Sequence, residues 1–135
     1  MKEPTFPAQI ECIPEVTSFV DEWLESLDCP MKAQMQIDLA IDELFTNIAS
    51  YAYKSGEGSA TIQLDFDAAD RRASIAFIDS GFPYNPLEKP DPDVTLSAEE
   101  REIGGLGIFL VKKTMDGMEY RREGQRNVVT IFKRI

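Results

Sequence analysis

Apolar residues recur along the chain with two different periods, and the change of period divides it. Val16, Phe19, Val20, Trp23, Leu24 and Leu27 follow the i, i+3, i+4, i+7 spacing of a one-sided helix, which Asp28, Cys29 and Pro30 end. A second helix is predicted over about residues 31–53, with Pro30 suited to its first turn, where a missing N–H costs nothing. Its inward stripe is Ile37, Ile41, Leu44, Ile48 and Ala52, and Ser55, Gly56, Glu57 and Gly58 stop it. The period then falls to two. Ile62, Leu64 and Phe66 alternate with polar neighbours, residues 67–71 supply a turn, and Ala73, Ile75 and Phe77 continue to Asp79, the pattern of a hairpin of central strands. Residues 5–13 read as an edge strand, because Pro7 is tolerated only where no ladder bond is required. Residues 80–103 contain Pro83, Pro86, Pro90 and Pro92, many acids and no period; so long a loop is either functional or disordered. Ile108, Leu110, Val111 and Met115 predict a short helix opening at or just after Gly107, before two last strands near 118–122 and 128–133. Helices grouped early and hairpins later fit an α+β two-layer sandwich, a mixed or antiparallel sheet with three helices on one face.

A length of 135 residues, 43% of them hydrophobic, makes one domain over 1–135 the expectation, with a core that needs neither disulfides nor metal. The net charge of −10 repels a phosphate backbone, which argues against nucleic acid as a partner. Histidine is absent, so autophosphorylation on histidine, Ser-His-Asp triads and imidazole metal sites are excluded. Cys12 and Cys29 are too few for a disulfide scaffold or a four-thiolate zinc site and read as reduced, structural residues. No apolar run approaches the roughly 18 residues that span a bilayer, and the N-terminus lacks a signal-peptide pattern. A cytoplasmic protein without membrane contact is expected.

Three places carry candidate chemistry. Glu43 and Asn47, four apart, share the flank of the second helix, where they either face solvent or line a cleft. Asparagine is a poor mid-helix residue, which favours a specific role. Asp79, Ser80 and Gly81 end a strand: the carboxylate either caps a turn or accepts a hydrogen bond from a ligand amine, with Gly81 admitting a close approach. Gly104, Gly105, Leu106 and Gly107 run into a helix, either as a hinge or as a source of unpaired amides for phosphate oxygens. They form neither a Walker A loop nor a dinucleotide fingerprint.

In this order, residues 41–48 (Ile-Asp-Glu-Leu-Phe-Thr-Asn-Ile), 78–83 (Ile-Asp-Ser-Gly-Phe-Pro) and 104–111 (Gly-Gly-Leu-Gly-Ile-Phe-Leu-Val) resemble the three nucleotide-binding boxes of the GHKL ATP-binding superfamily. With the ending Met115-Asp116-Gly117-Met118-Glu119-Tyr120-Arg121-Arg122, the chain looks like the small bacterial anti-sigma-factor serine kinases over about residues 10–135. The resemblance implies ATP and Mg2+ as cofactors, Asn47 as the magnesium ligand and Glu43 as the general base beside the γ-phosphate. It further implies that Asp79 accepts the adenine amino group, that Gly81 lets the base pack closely, that Gly105 and Gly107 aim amides at the phosphates, and that Thr130 places a hydroxyl near adenine. Residues 83–103 correspond to the ATP lid, with Arg101 the charge to watch among acids such as Glu88, Asp91, Asp93, Glu99, Glu100 and Glu102. The second glycine of the superfamily's middle box is absent here. The implied function is an ATP-dependent serine/threonine protein kinase that sequesters a sigma factor and phosphorylates an anti-sigma-factor antagonist on serine, with a homodimer formed through the sheet. The alternative is a nucleotide-sensing, partner-binding module without catalysis.

Overall fold

A computed structural model describes residues 3–53, 58–88 and 105–135. Strand β1 (Thr5–Pro7) is only three residues long, because the chain turns at Pro7 into a short 3-10 segment at Ile10–Cys12 rather than extending to residue 13. Helix α1 (Ile13–Ser26) carries proline in its first turn and buries Val16, Val20 and Leu24. It closes where Asp28 takes a positive φ of 58° and the Cys29 amide donates back to the Leu24 carbonyl. Pro30 stands at the cap of helix α2 (Met31–Asn47), in extended backbone just before the first turn in which its sequence position suggested it. The predicted stripe Ile37, Ile41, Leu44, Ile48 and Ala52 is buried as expected. Its last turn differs: residues Ile48–Ala52 widen into a π-helical turn, a form that often marks functional positions. The expected stop at Ser55, Gly56 and Glu57 lies outside the described residues.

Strands β2 (Ser59–Asp67) and β3 (Arg72–Asp79) form the predicted hairpin, α3 (Gly105–Thr114) opens two residues earlier than the glycine spacing suggested, and β4 (Gly117–Glu123) and β5 (Arg126–Arg134) form a second hairpin. The sheet order is β1-β2-β3-β5-β4, and every pair is antiparallel, which resolves the mixed-or-antiparallel expectation. Strand alternation assigns the two faces. Ile62, Leu64, Ile75, Phe77, Val129 and Ile131 pack with the inward stripes of the three helices into one core. Ala76, Ile78 and Val128 form a small cluster on the opposite face. Among the described residues, no helix is long and apolar enough to cross a membrane.

Candidate functional site

The C-terminal half of α2 shares a cavity with the end of β3 and the start of β5. Asn47 is the last residue before the π-helical turn. With Leu44 and Ile48 from the same helix, Asp79 from β3 and Asn127 and Val129 from β5, it lines a cavity of about 20 Å³, which Tyr84 and Pro86 cover. That space holds about one water molecule. Pro86 is fully buried, so the start of the proline-rich segment is packed into the site rather than extended over it.

Asp79 is 5% exposed, and burying a carboxylate is costly unless it is hydrogen-bonded. Its Oδ1 accepts from the Gly81 amide at 2.8 Å and from Asn127 Nδ2 at 2.9 Å. Asp79 also lines the cavity, and among the described residues no hydrogen bond to its Oδ2 is seen. Gly81 is required at its place for a reason the sequence did not suggest. A Cβ there would overlap the Ala52 carbonyl, to which the next amide, Phe82 N, donates at 2.9 Å. The missing side chain makes room for the backbone of the π-helical turn.

Asn127, 2% exposed, was not singled out from the sequence. Its Nδ2 donates to Asp79 Oδ1 and to the Phe82 carbonyl at 2.7 Å; its Oδ1 accepts from Tyr120 OH at 2.6 Å, Arg122 Nη1 at 3.1 Å and the Tyr84 amide at 3.3 Å. Arg122 Nη1 also donates to the Gly81 carbonyl at 2.9 Å. The amide of Asn127 therefore fixes both the Asp79 carboxylate and the strap of residues 81–84. The signal available was parity: Asn127 pairs with Asp79 in register and so shares its face. Thr130 is three residues further on. It pairs with Ala76 and Glu119, on the side of Val128 and away from the helices. Thr130 is thus not brought to the cavity.

Gly105 and Gly107 lie in the first turn of α3, whose leading amides have no partner within the helix. A Cβ on Gly107 would overlap the carboxylate of Glu43, so the acid of α2 is packed directly on the glycine turn. Glu43 and Asn47 are both half-buried, at the flank the helical spacing predicted. Gly104, Arg101 and the lid residues 89–103 lie outside the described residues. Among the described residues no group of three or more histidine, cysteine, aspartate or glutamate side chains could hold a metal. Asn47 offers one neutral oxygen, which suits a hard cation that brings most of its ligands with it.

Elsewhere, burial raises the Cys29 thiol above its ordinary value, and both cysteines are free. Asp38 is pushed up to about 7 by burial and by the adjoining Asp21 carboxyl.

The profile of the histidine kinase-like ATPase domain family matches residues 6–133. The serine/threonine-protein kinase BtrW of Bordetella bronchiseptica is 27% identical over 113 residues, 81% of this chain and 79% of that protein. The serine-protein kinase RsbW of Bacillus cereus is 35% identical over 99 residues, and that of Listeria monocytogenes 29% over 101. These alignments cover 61% and 64% of the RsbW proteins, so the chain matches under two thirds of their length. The histidine kinase domain of a blue-light activated histidine kinase from Erythrobacter litoralis superposes with a TM-score of 0.59 at 15% identity, over 96% of this chain and 61% of that one, a likeness of fold. The chain belongs to the histidine kinase-like ATPase domain family, with the five-stranded antiparallel sheet and three helices described above.

Proposed function

We propose that this protein is an ATP-dependent serine/threonine protein kinase of the anti-sigma type, one that sequesters a sigma factor and phosphorylates an antagonist protein on serine in the cytoplasm. The observation that carries the reading is the packing of the Glu43 carboxylate on Gly107, which joins a potential base to the amides of a helix N-terminus. Similarity to the kinases BtrW and RsbW supports the kinase class.

Bound Mg2+-ATP supplies the transferable phosphoryl group. This chain's residues bind and position it. Asp79 Oδ2 accepts a hydrogen from the base amino group, while Asn127 keeps that carboxylate from rotating. The amides opening α3 at Gly105 and Gly107 would bind phosphate oxygens, and the Asn47 oxygen would hold the cation. Glu43 takes the proton from the acceptor serine hydroxyl. A base cannot enter about 20 Å³, so Tyr84 and Pro86 give way on binding. β1 and β4 are the two edges of the sheet, and β1 offers one of them to a homodimer.

Phosphoserine on a cognate antagonist, read by mass spectrometry with Mg2+-ATP, tests the proposal. The Glu43→Ala protein is expected to bind nucleotide and lose at least about a hundredfold in transfer. Nucleotide binding without phosphoserine in the wild type would replace the kinase by the nucleotide-sensing module, and the absence of any nucleotide-induced rise in melting temperature would remove both.

A further inference from the structure

The outer face of α2 is the least expected surface of the molecule. Met31, Leu39 and Met35 are 78%, 68% and 60% exposed, three of the seven large apolar side chains that stand out in solvent among the described residues. They fall at i, i+4 and i+8, one ridge of the kind that seats in the groove of another helix. Beside the ridge runs an open groove of about 420 Å³ between α1 and α2, lined by Glu25, Cys29, Met31, Gln34, Met35 and Asp38. Scattered exposed apolar residues are ordinary, but an aligned row flanking a groove is not.

Charge selects what covers it. Residues 13–47 hold eight acidic side chains against a single base, Lys32. Glu25 and Asp38 line the groove itself, and the Asp21 carboxyl adjoins Asp38. Arg71, the cation near Cys29, is engaged by the Leu27 and Ile135 carbonyls. A second copy of the chain would bring these acids against themselves, which is unfavourable at an interface core. A cationic helix would meet them with opposite charge while its apolar face covered the ridge. Methionine suits that use, since its flexible thioether adapts to varied partners.

We propose that the α1–α2 groove and the Met31–Met35–Leu39 ridge form a docking site for a basic amphipathic helix of a partner protein, separate from the nucleotide cavity. The probe is a synthetic helix of about 18 residues with leucine at i, i+3, i+4 and i+7 and lysine elsewhere, compared with a scramble of identical composition. Methionine methyl NMR reports the place. Expected are shifts of the Met31 and Met35 methyls with Met115 and Met118 unmoved, binding about tenfold or more tighter than the scramble, and a similar loss in the Met35→Glu, Leu39→Glu double variant. Both substituted side chains are exposed, so the variant's melting temperature is expected to stay at the wild-type value and serves as its folding control. Equal binding of the scramble would reduce the effect to net charge and overturn the proposal. So would shifts confined to other methyls, absence of binding, or concentration-dependent Met31 and Met35 shifts without peptide, which would assign the ridge to a second copy.

Discussion

Replacing Asn127 by alanine removes the node that ties β3, β5 and the 81–84 strap together. The lost contact of greatest weight is Nδ2 to Asp79 Oδ1, a bond to a buried carboxylate. Hydrogen bonds to charged groups contribute about 1.5–3 kcal/mol. The Phe82 carbonyl and Tyr120 hydroxyl lose partners at 2.7 and 2.6 Å, but Phe82 is exposed and Tyr120 only half-buried, so water recovers part of each. About 0.5–1 kcal/mol for each is then reasonable, and the total comes to about 3 kcal/mol. With a urea m-value of about 2 kcal/mol/M, the unfolding midpoint should fall by about 1.5 M, and the melting temperature by about 10 °C. Asn127→Asp makes the sharper comparison. It retains an acceptor for Tyr120 and Arg122 but sets a second carboxylate against Asp79, so it should be less stable than the alanine variant at pH 8. Repulsion between the two adjacent carboxylates is relieved by a shared proton, so this variant should regain stability as pH falls. An Asn127→Ala protein within about 0.5 kcal/mol of wild type, or an Asn127→Asp protein as stable as wild type at pH 8, would refute the network's importance.

Gly107→Ala should displace the Glu43 carboxylate; under the proposed kinase mechanism, phosphotransfer falls about a hundredfold while nucleotide affinity, measured by calorimetry, changes by only a few fold. Gly81→Ala forces a methyl into the Ala52 carbonyl, and because backbone cannot step aside cheaply, a loss of about 2–4 kcal/mol in denaturant unfolding is expected. Asp38 holds a proton in the folded state that the unfolded chain releases: its folded value is about 7 against 3.8. Its contribution to stability is therefore greatest below pH about 4 and declines as pH rises to about 7. Asp38→Asn should flatten that slope and be more stable than wild type at pH 8, as read from melting temperatures across this range; an unchanged slope would contradict the assignment.

Local pattern was sufficient for the elements. The 3.6-residue stripes of α1 and α2 and the two-residue alternation of β2 and β3 reflect burial on one side, a property each segment expresses through its own side chains. The same periodicity put Glu43 and Asn47 on a flank, and the three boxes pointed to the family to which the chain belongs. Boundaries were less legible: the turn at Pro7, the widening at Ile48–Ala52 and the early start of α3 depend on what each backbone meets in three dimensions. Thr130 and Asn127 stand three residues apart and so on opposite faces of β5, and only pairing with Asp79 shows which face holds the cavity.

By itself, then, the sequence determined the helices, the hairpins, the absence of histidine chemistry and the residue types that suit a nucleotide. Tertiary structure decided the rest: that Gly81 makes room for the Ala52 carbonyl, that Gly107 receives Glu43, and that Asn127 holds Asp79. Periodicity is carried by neighbours along the chain, whereas these contacts join residues 29 to 64 positions apart, whose distances are set by packing alone.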